Sequence, residues 1–328
     1  MRDWRFHFAA QRGTLLALLI FVAMFTLYVA NHPAGFTANV VQTAANKGVL
    51  LAFVAMAQTF VVLTAGIDLS VGMIFILANC VASYLLGGTS WETGLGLCAT
   101  LLVGVACGAI NGLIVIFGRL QPIVATIATG AVYFGIALIL RPFPGSGPNF
   151  NSGLADALTG RLFGVVPTSL VVLLGVVLVI WVPFQRSVLG RAAYAVGSAE
   201  MAAYMSGMPI RRAKFLAYVL SGLLAAIGGI FLTFFTYSGE ASLSNGNTYT
   251  LYAIAAVVLG GVSLFGGRGS AIGAIFGALA FRAIGDLLFV FDLDPLYQPL
   301  FQGIVLLLAV SLGSARLFQV RNRLDLFS

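Results

Sequence analysis

Along this chain, long apolar runs alternate with short polar stretches, and the spacing predicts membrane helices rather than strands. The runs cover about residues 14–30, 45–64, 68–86, 93–117, 122–140, 165–184, 214–237, 249–265, 271–291 and 297–313. Each lies near the roughly 20 residues that a bilayer requires. The first run follows Arg2, Arg5 and Arg12 as a signal peptide would. It lacks a small-x-small cleavage site before Asn31-His32-Pro33, so it reads as a retained helix. The expectation is an all-α integral membrane protein of about ten transmembrane helices, with both termini on one side.

Composition strengthens that reading. Hydrophobic residues make up 60% of the 328 and charged residues only 8%, against about 25% charged in soluble domains. The net charge of +7 has a topological origin. With the N-terminus inside, cytoplasmic segments hold Arg2, Arg5, Arg12, Arg119, Arg186, Arg191, Arg211, Arg212, Lys214, Arg268, Arg316, Arg321 and Arg323. Only Lys47, Arg141, Arg161 and Arg282 of the 17 basic residues fall elsewhere. Glu92, Asp156, Glu240, Asp292 and Asp294 lie outside, as the positive-inside rule predicts. The basic balance therefore calls for a lipid bilayer and no nucleic acid. Cys80, Cys98 and Cys107 all sit in apolar runs and form no disulfide framework or zinc spacing. The only histidines, His7 and His32, are far apart, which argues against a histidine metal site or a catalytic triad.

Between the second and third runs stands Leu63-Thr64-Ala65-Gly66-Ile67-Asp68-Leu69-Ser70-Val71-Gly72. An ionisable side chain costs about 2.5–3.5 kcal/mol at the bilayer centre and less near its surface. Asp68 precedes an apolar run and is expected to cap the third helix at the cytoplasmic side. Gly66, Asp68, Ser70 and Gly72 thus read as a structural turn. Elsewhere, Gly104, Gly108 and Gly112, and again Gly269, Gly273 and Gly277, recur every four residues, a spacing that lets helix backbones approach closely. Arg282 and Asp286 stand one turn apart and are expected to pair, as a structural ion pair facing the bundle or, alternatively, in contact with substrate.

The polar connections differ in character. Residues 141–164, rich in proline, glycine and asparagine, read as an irregular outside loop rather than a span. Residues 238–248 form a second, shorter outside loop with Glu240, Asn245 and Asn247. The inside loop 185–213 carries Ser198 as an expected N-cap, Glu200 in a first turn, and a Gly207/Pro209 stop. Met201, Tyr204, Met205 and Met208 would form one apolar face on this short helix. Such a methionine-rich face suits a protein groove, or else the bilayer surface. The two lysines, Lys47 and Lys214, do not follow glycine, so no P-loop exists and any ATPase must be another polypeptide.

Several blocks together resemble the permease subunits of ribose/xylose-type carbohydrate ABC importers. They are Gln58-Thr59, Leu63–Gly72, Asn111-Gly112, Gly190-Arg191 with Tyr194–Gly197, Glu200–Ala203 to Ser206-Gly207, Tyr218–Gly222, Ala253–Gly261, Ser263-Leu264 and Gly266–Ser270. They span nearly the whole chain in order. One departure is Ala65, where the family usually has a second glycine. The resemblance implies a single permease domain in the bacterial inner membrane, working as a homodimer by alternating access. It further implies ATP-binding cassette subunits docked inside, which would use ATP and Mg, and a periplasmic sugar-binding protein outside. No cofactor is expected on this chain, and no enzymatic activity. Glu200, Met201, Ala202, Ala203, Tyr204, Met205 and Gly207 match the family's coupling segment. Gln58, Asn79, Asn111 and Tyr133 are candidates to line a polar pathway. Two alternatives are a proton- or sodium-coupled transporter using Asp68 or Asp286, and an ABC permease for another small solute such as a branched-chain amino acid.

Overall fold

In this computed structural model the described backbone covers residues 2–305, 307, 308 and 311, with side chains described from 12 onward except at 295. The side chains of Arg2 and Arg5, the arginines at 316, 321 and 323, and the far end of the last apolar run lie outside what is described. The order is α1 (Arg2–Asn31), α2 (Ala38–Leu63), α3 (Val71–Leu85), α4 (Ser90–Ile116) and α5 (Pro122–Leu140). Then come α6 (Ser152–Thr159), β1 (Arg161–Leu162) and β2 (Val166–Pro167), followed by α7 (Thr168–Val176), a π-turn (Val177–Trp181) and α8 (Val182–Arg186). The chain ends with α9 (Val188–Ser198), α10 (Glu200–Met205), α11 (Ile210–Thr236), α12 (Leu243–Leu259), α13 (Ala271–Val290), a 3₁₀ turn (Pro295–Tyr297), and helix from 298 on.

Seven described helices are long and apolar enough to cross a membrane: α1, α2, α4, α5, the continuous α7–α8 helix, α11 and α13. The third apolar run yields only the 15 residues of α3, and the ninth sequence element, α13, begins just after a glycine turn. Helix starts follow side-chain caps more closely than apolar runs. Thr37 caps α2, and Ser242 caps α12 ahead of its apolar stretch. Thr89 and Glu92 form a reciprocal capping box at α4. Gly260 and Gly261, the latter at φ 78°, stop α12 before residue 265.

From Val49 to Leu63 α2 is almost wholly apolar on every side, which marks a buried helix, and 94% of its most apolar window is enclosed. α3, α11, α12 and α13 pack around it. α4 and α5 turn Leu102, Ile110, Val124, Ile127, Val132 and Ile139 outward, an apolar surface that needs lipid or protein over it. The glycine ladders serve the interior. A methyl on Gly104 or Gly108 would run into the α11 backbone at Gly222 and Tyr218, and one on Gly273 or Gly277 into α12 at Gly260 and Ala256. Pro183 supplies no N–H for the helix after α7; just before it, Val182 N–H bonds back to Val177 O in the wider π register. Trp181, in that turn, is buried edge-on against Phe60 and beside Phe184.

Residues 141–164 are more ordered than their composition suggests. Asn151 caps α6 by accepting from Leu154 N (3.0 Å). Leu154, Ala155 and Leu158 then cover Ala82, Leu86 and Phe234 in a small second core. Gln42 and Asn46 of α2 both donate to Thr159 O at 2.7 Å, fastening this segment to the central helix. The expected Arg282–Asp286 pair does not form, because Asp286 takes Lys47 of α2 instead, at 3.3 Å.

Two substitutions test this packing. Gly108→Val should destabilise by about 2 kcal/mol or more, since overpacking at a backbone seam has nowhere to relax; thermal unfolding in detergent reads it. Ala65, at φ 61°, occupies the left-handed position that ends α2. Ala65→Gly should therefore stabilise by about 0.5–1 kcal/mol, raising the melting temperature in the same assay.

Candidate functional site

The turn between α2 and α3 is built from its backbone outward. Thr64, Ala65 and Gly66 close α2: Ala65 N donates to Val62 O (2.9 Å) and Gly66 N to Val61 O (3.2 Å). That is the paired bonding of a Schellman ending, which normally places glycine where Ala65 stands. Gly66 is required by crowding, since a methyl there would lie 3.0 Å from Val61 Cγ1 and 3.2 Å from the Tyr218 hydroxyl.

Asp68 follows, fully buried. It does not cap α3; the N-cap position is Ser70, whose side chain makes no capping bond. Instead Asp68 Oδ1 accepts from Ser70 N (2.9 Å) and Ser70 Oγ (2.6 Å). Its Oδ2 accepts from Ser221 Oγ of α11 at 3.2 Å. No lysine or arginine among the described residues pairs with it. Hydrogen bonds to both carboxyl oxygens are what make an acidic side chain tolerable in such a place.

The expected pathway candidates divide between two places. Gln58 of α2, with its amide assigned in the orientation that satisfies both groups, clasps the Asp68 backbone at both ends, donating to its carbonyl (2.9 Å) and accepting from its N–H (3.2 Å). Asn111 of α4 donates to Ser70 Oγ at 2.7 Å and accepts from the Tyr133 hydroxyl of α5 at 3.0 Å. Asn79 stands apart. It donates to Thr233 Oγ1 (2.9 Å) and Ser238 O (3.0 Å) and accepts from Glu240 N (3.0 Å), joining α3 to the end of α11 and the loop after it. All four side chains are buried.

Sequence reasoning missed Ser221, Thr126 and Thr250. Thr126 Oγ1 of α5 accepts from Leu69 N (3.0 Å), and Thr250 Oγ1 of α12 accepts from Gly72 N (3.1 Å). Gly72 leaves room for this, because a methyl there would collide with Gly246 O and the Thr250 hydroxyl. Thr126 and Thr250 share their helices with other hydroxyls, Thr129 and Tyr133 on α5 and Thr248, Tyr249 and Tyr252 on α12, so nothing local singled them out. Ser221 lay within the Tyr218–Gly222 block already singled out.

The second constellation is the segment 185–213. Ser187 caps α9 through Gly190 N (2.9 Å). Ser198 is not an N-cap; it closes α9, donating to Tyr194 O at 2.9 Å. The following helix, α10, is shorter than expected at six residues. Ala203 faces inward, Ala202 outward, and Glu200 pairs with Lys214 at 2.7 Å. Met201, Tyr204 and Met205 are 72%, 70% and 81% exposed. Met208 leaves that face and packs on the core, because Gly207 at φ 71° turns the chain. α9 is anchored through backbone: Tyr194 OH donates to Gly269 O (2.7 Å), and Gly197 abuts Leu63 O and Gly267 N. Gly267 N in turn donates to Leu63 O at 3.0 Å, so α9, the end of α2 and the turn before α13 meet at one joint.

Known proteins share this plan in sequence. The family described as branched-chain amino acid transport system / permease component matches residues 40–310. The chain is 38% identical to the ribose import permease protein RbsC of Bacillus subtilis (strain 168), over 79% of this chain and 80% of that protein. It is 33% identical to the ribose import permease protein RbsC of Escherichia coli (strain K12), over 92% of each. Against the D-allose transport system permease protein AlsC of Escherichia coli (strain K12) the identity is 31%, over 94% of this chain and 93% of that one. No solved structure matches. With the match running from α2 into the last described helix, the chain belongs to this family of transport-system permease components.

Proposed function

We propose that this protein is the membrane-spanning subunit of an ATP-driven importer for a sugar or related polyol in the bacterial inner membrane. The observation that carries the reading is α10, which leaves Met201, Tyr204 and Met205 exposed and uncovered by any described residue. Exposed methionine and tyrosine on a short helix that depends on its neighbours for order suit insertion into a partner's groove. The partner would be an ATP-binding cassette subunit using ATP and Mg, since this chain has no P-loop lysine. The carbohydrate class is supported by relatives named for ribose and D-allose import. A secondary transporter is not favoured, because those relatives are import-system permeases. The family description names branched-chain amino acids, yet the relatives matched across most of this chain are sugar permeases.

In this reading the chain crosses the membrane about ten times with both termini in the cytoplasm. Residues 185–213 form the coupling loop, 141–164 face a periplasmic sugar-binding protein, and a second copy completes the pathway. Gln58, Asn79, Asn111 and Tyr133 are buried and hydrogen-bonded in the described state. They would reach a pathway only when the helices around them separate. The Asp68 turn holds the bundle together and carries no transport chemistry of its own.

Co-expression with the ATP-binding subunit and the binding protein, followed by reconstitution, should give sugar uptake that requires ATP. Uptake by this chain alone would sink the proposal. Met205→Asp should release the ATP-binding subunit on purification, or lower uptake at least tenfold while the permease stays folded. Asp68→Asn keeps an acceptor for Ser70 and should cost under about 1.5 kcal/mol with uptake retained, whereas Asp68→Ala strands buried donors and should cost about 2–4 kcal/mol. Full stability with uptake abolished in Asp68→Asn would overturn the structural assignment.

A further inference from the structure

The two short strands before α7 form a hairpin whose apolar side chains are uncovered. β1 and β2 pair antiparallel, with Arg161 opposite Pro167 and Leu162 opposite Val166. Val165 N donates to Leu162 O (3.2 Å), closing a turn in which Phe163 and Gly164 have φ of 52° and 74°. Two positive angles in succession belong to the type I′ turn, whose first place normally goes to asparagine, aspartate or glycine. A phenylalanine there is a backbone outlier, and such outliers persist where the structure holds them for a use. Within the chain Phe163 finds no packing in return, being 97% exposed. Leu162, Val165 and Val166 are exposed as well, so four apolar side chains stand out from residues 161–166.

The hairpin is held from one side only. Thr168 N donates to Gly160 O (3.0 Å) across its base, and the adjacent Thr159 O takes Gln42 and Asn46 of α2. Pro167 is buried and β2 packs against α2. Cross-strand partners share a face and successive residues alternate, so Leu162 and Val166 look away from the face on which Pro167 lies. α7 starts at the next residue, Thr168, and continues to Arg186 as a span. It too packs against α2, burying Thr168, Ser169 and Leu173 while Val171, Leu174, Leu178 and Val179 stay exposed. Hairpin and span therefore both back onto α2, and their uncovered sides form one apolar surface that runs from the body of the span to the hairpin tip.

We infer that the 161–166 hairpin is a membrane anchor, with Leu162, Phe163, Val165 and Val166 sunk into the interfacial layer of the outer leaflet beside the start of α7. Lipid covers the exposed side of a span, and a surface continuous with that side meets the same medium. The interfacial depth suits the backbone, because strand edges and turn N–H groups need water or headgroup partners that the hydrocarbon centre does not supply. An apolar tip with an arginine at its base is the amphipathic order of such a site, the guanidinium reaching headgroup phosphates. Arg161 is exposed and has no acidic partner among the described residues. A patch that docks a soluble protein carries a polar rim, whereas residues 161–166 have no uncharged polar side chain. The inference rests on the reading that places 141–164 outside, and it gives the end of that segment to lipid rather than to the binding protein.

The test uses the full-length permease in phospholipid vesicles, in a Cys98→Ala background because Cys80 and Cys107 are buried. A bimane fluorophore is placed on Phe163→Cys or, as the water-exposed reference in the same outer segment, on Ser146→Cys. Lipids carrying a nitroxide on the upper acyl chain should quench the label at 163 about threefold more than the label at 146, and more than chain-end nitroxides do. Aqueous iodide should quench in the reverse order, and neither result should change when the protein is diluted tenfold into lipid. Equal quenching at the two positions overturns the anchor. Shielding of 163 from iodide that appears only at high protein density, or only on adding the binding protein, assigns the hairpin to a second copy or to that partner and likewise overturns it. In spheroplasts an impermeant maleimide should label Ser146→Cys without lysis; labelling only after lysis overturns the outer-leaflet placement. ATP-driven sugar uptake reads the importer assignment separately, so the two inferences fail by different measurements.

Discussion

A buried acidic side chain that no described cation pairs with is the constraint around which this bundle is arranged. Asp68 is held by Ser70 and Ser221, and its backbone by Gln58. Ser70 passes the requirement to Asn111, and Asn111 to Tyr133. The partners sit on α2, α4, α5 and α11, with Thr126 and Thr250 adding bonds from α5 and α12 to the neighbouring backbone. In a medium where apolar contact with lipid is as good as apolar contact with protein, hydrophobic burial alone gives helices little reason to choose one another. Polar groups that can be satisfied in only one arrangement supply that choice. The glycine seams between α4 and α11 and between α12 and α13 supply the complementary condition, bringing backbones close enough for short side chains to bridge them.

The interior and the surface of the bundle accordingly obey different rules. α2, enclosed on all sides, needs no polar face, and its polar residues are placed singly where each meets a partner: Asn46 at Thr159, Gln58 at Asp68. On α4 and α5 the buried stripe is made of small and polar residues, while the large apolar side chains turn outward. The same contrast explains why α10 stands out. Its exposed methionines lie on a polar loop between basic residues, where a lipid-facing helix has no reason to be.

Much of this was legible in the sequence because it depends on local spacing. Apolar runs place the long helices, the four-residue glycine recurrence marks the seams, and the Leu63–Gly72 stretch announces a turn. What escaped depends on partners far away in the chain. Asp68 looked like a cap because an aspartate before an apolar run usually is one; that it reaches instead to Ser221 follows from where α11 packs. Arg282 and Asp286 share a helical face, but Lys47 lies 239 positions away from Asp286 and prevails. Residues 141–164 looked like loop because proline and glycine dominate, while the short α6 gains its order from Ala82, Leu86 and Phe234. In each case tertiary contact overrode the local preference.

The joint where α9 meets the end of α2 and the turn before α13 has a mechanical consequence. Gly197, Leu63 and Gly267 touch backbone to backbone, with Gly266 against Ala65 and Gly197. A contact made by side chains can absorb a push by changing rotamer, whereas peptide groups in direct contact have no such slack. Displacement of α9 therefore moves α2 and α13 with it, as in a gear cut without backlash, and the play in the linkage is confined to the short α10 at its outer end.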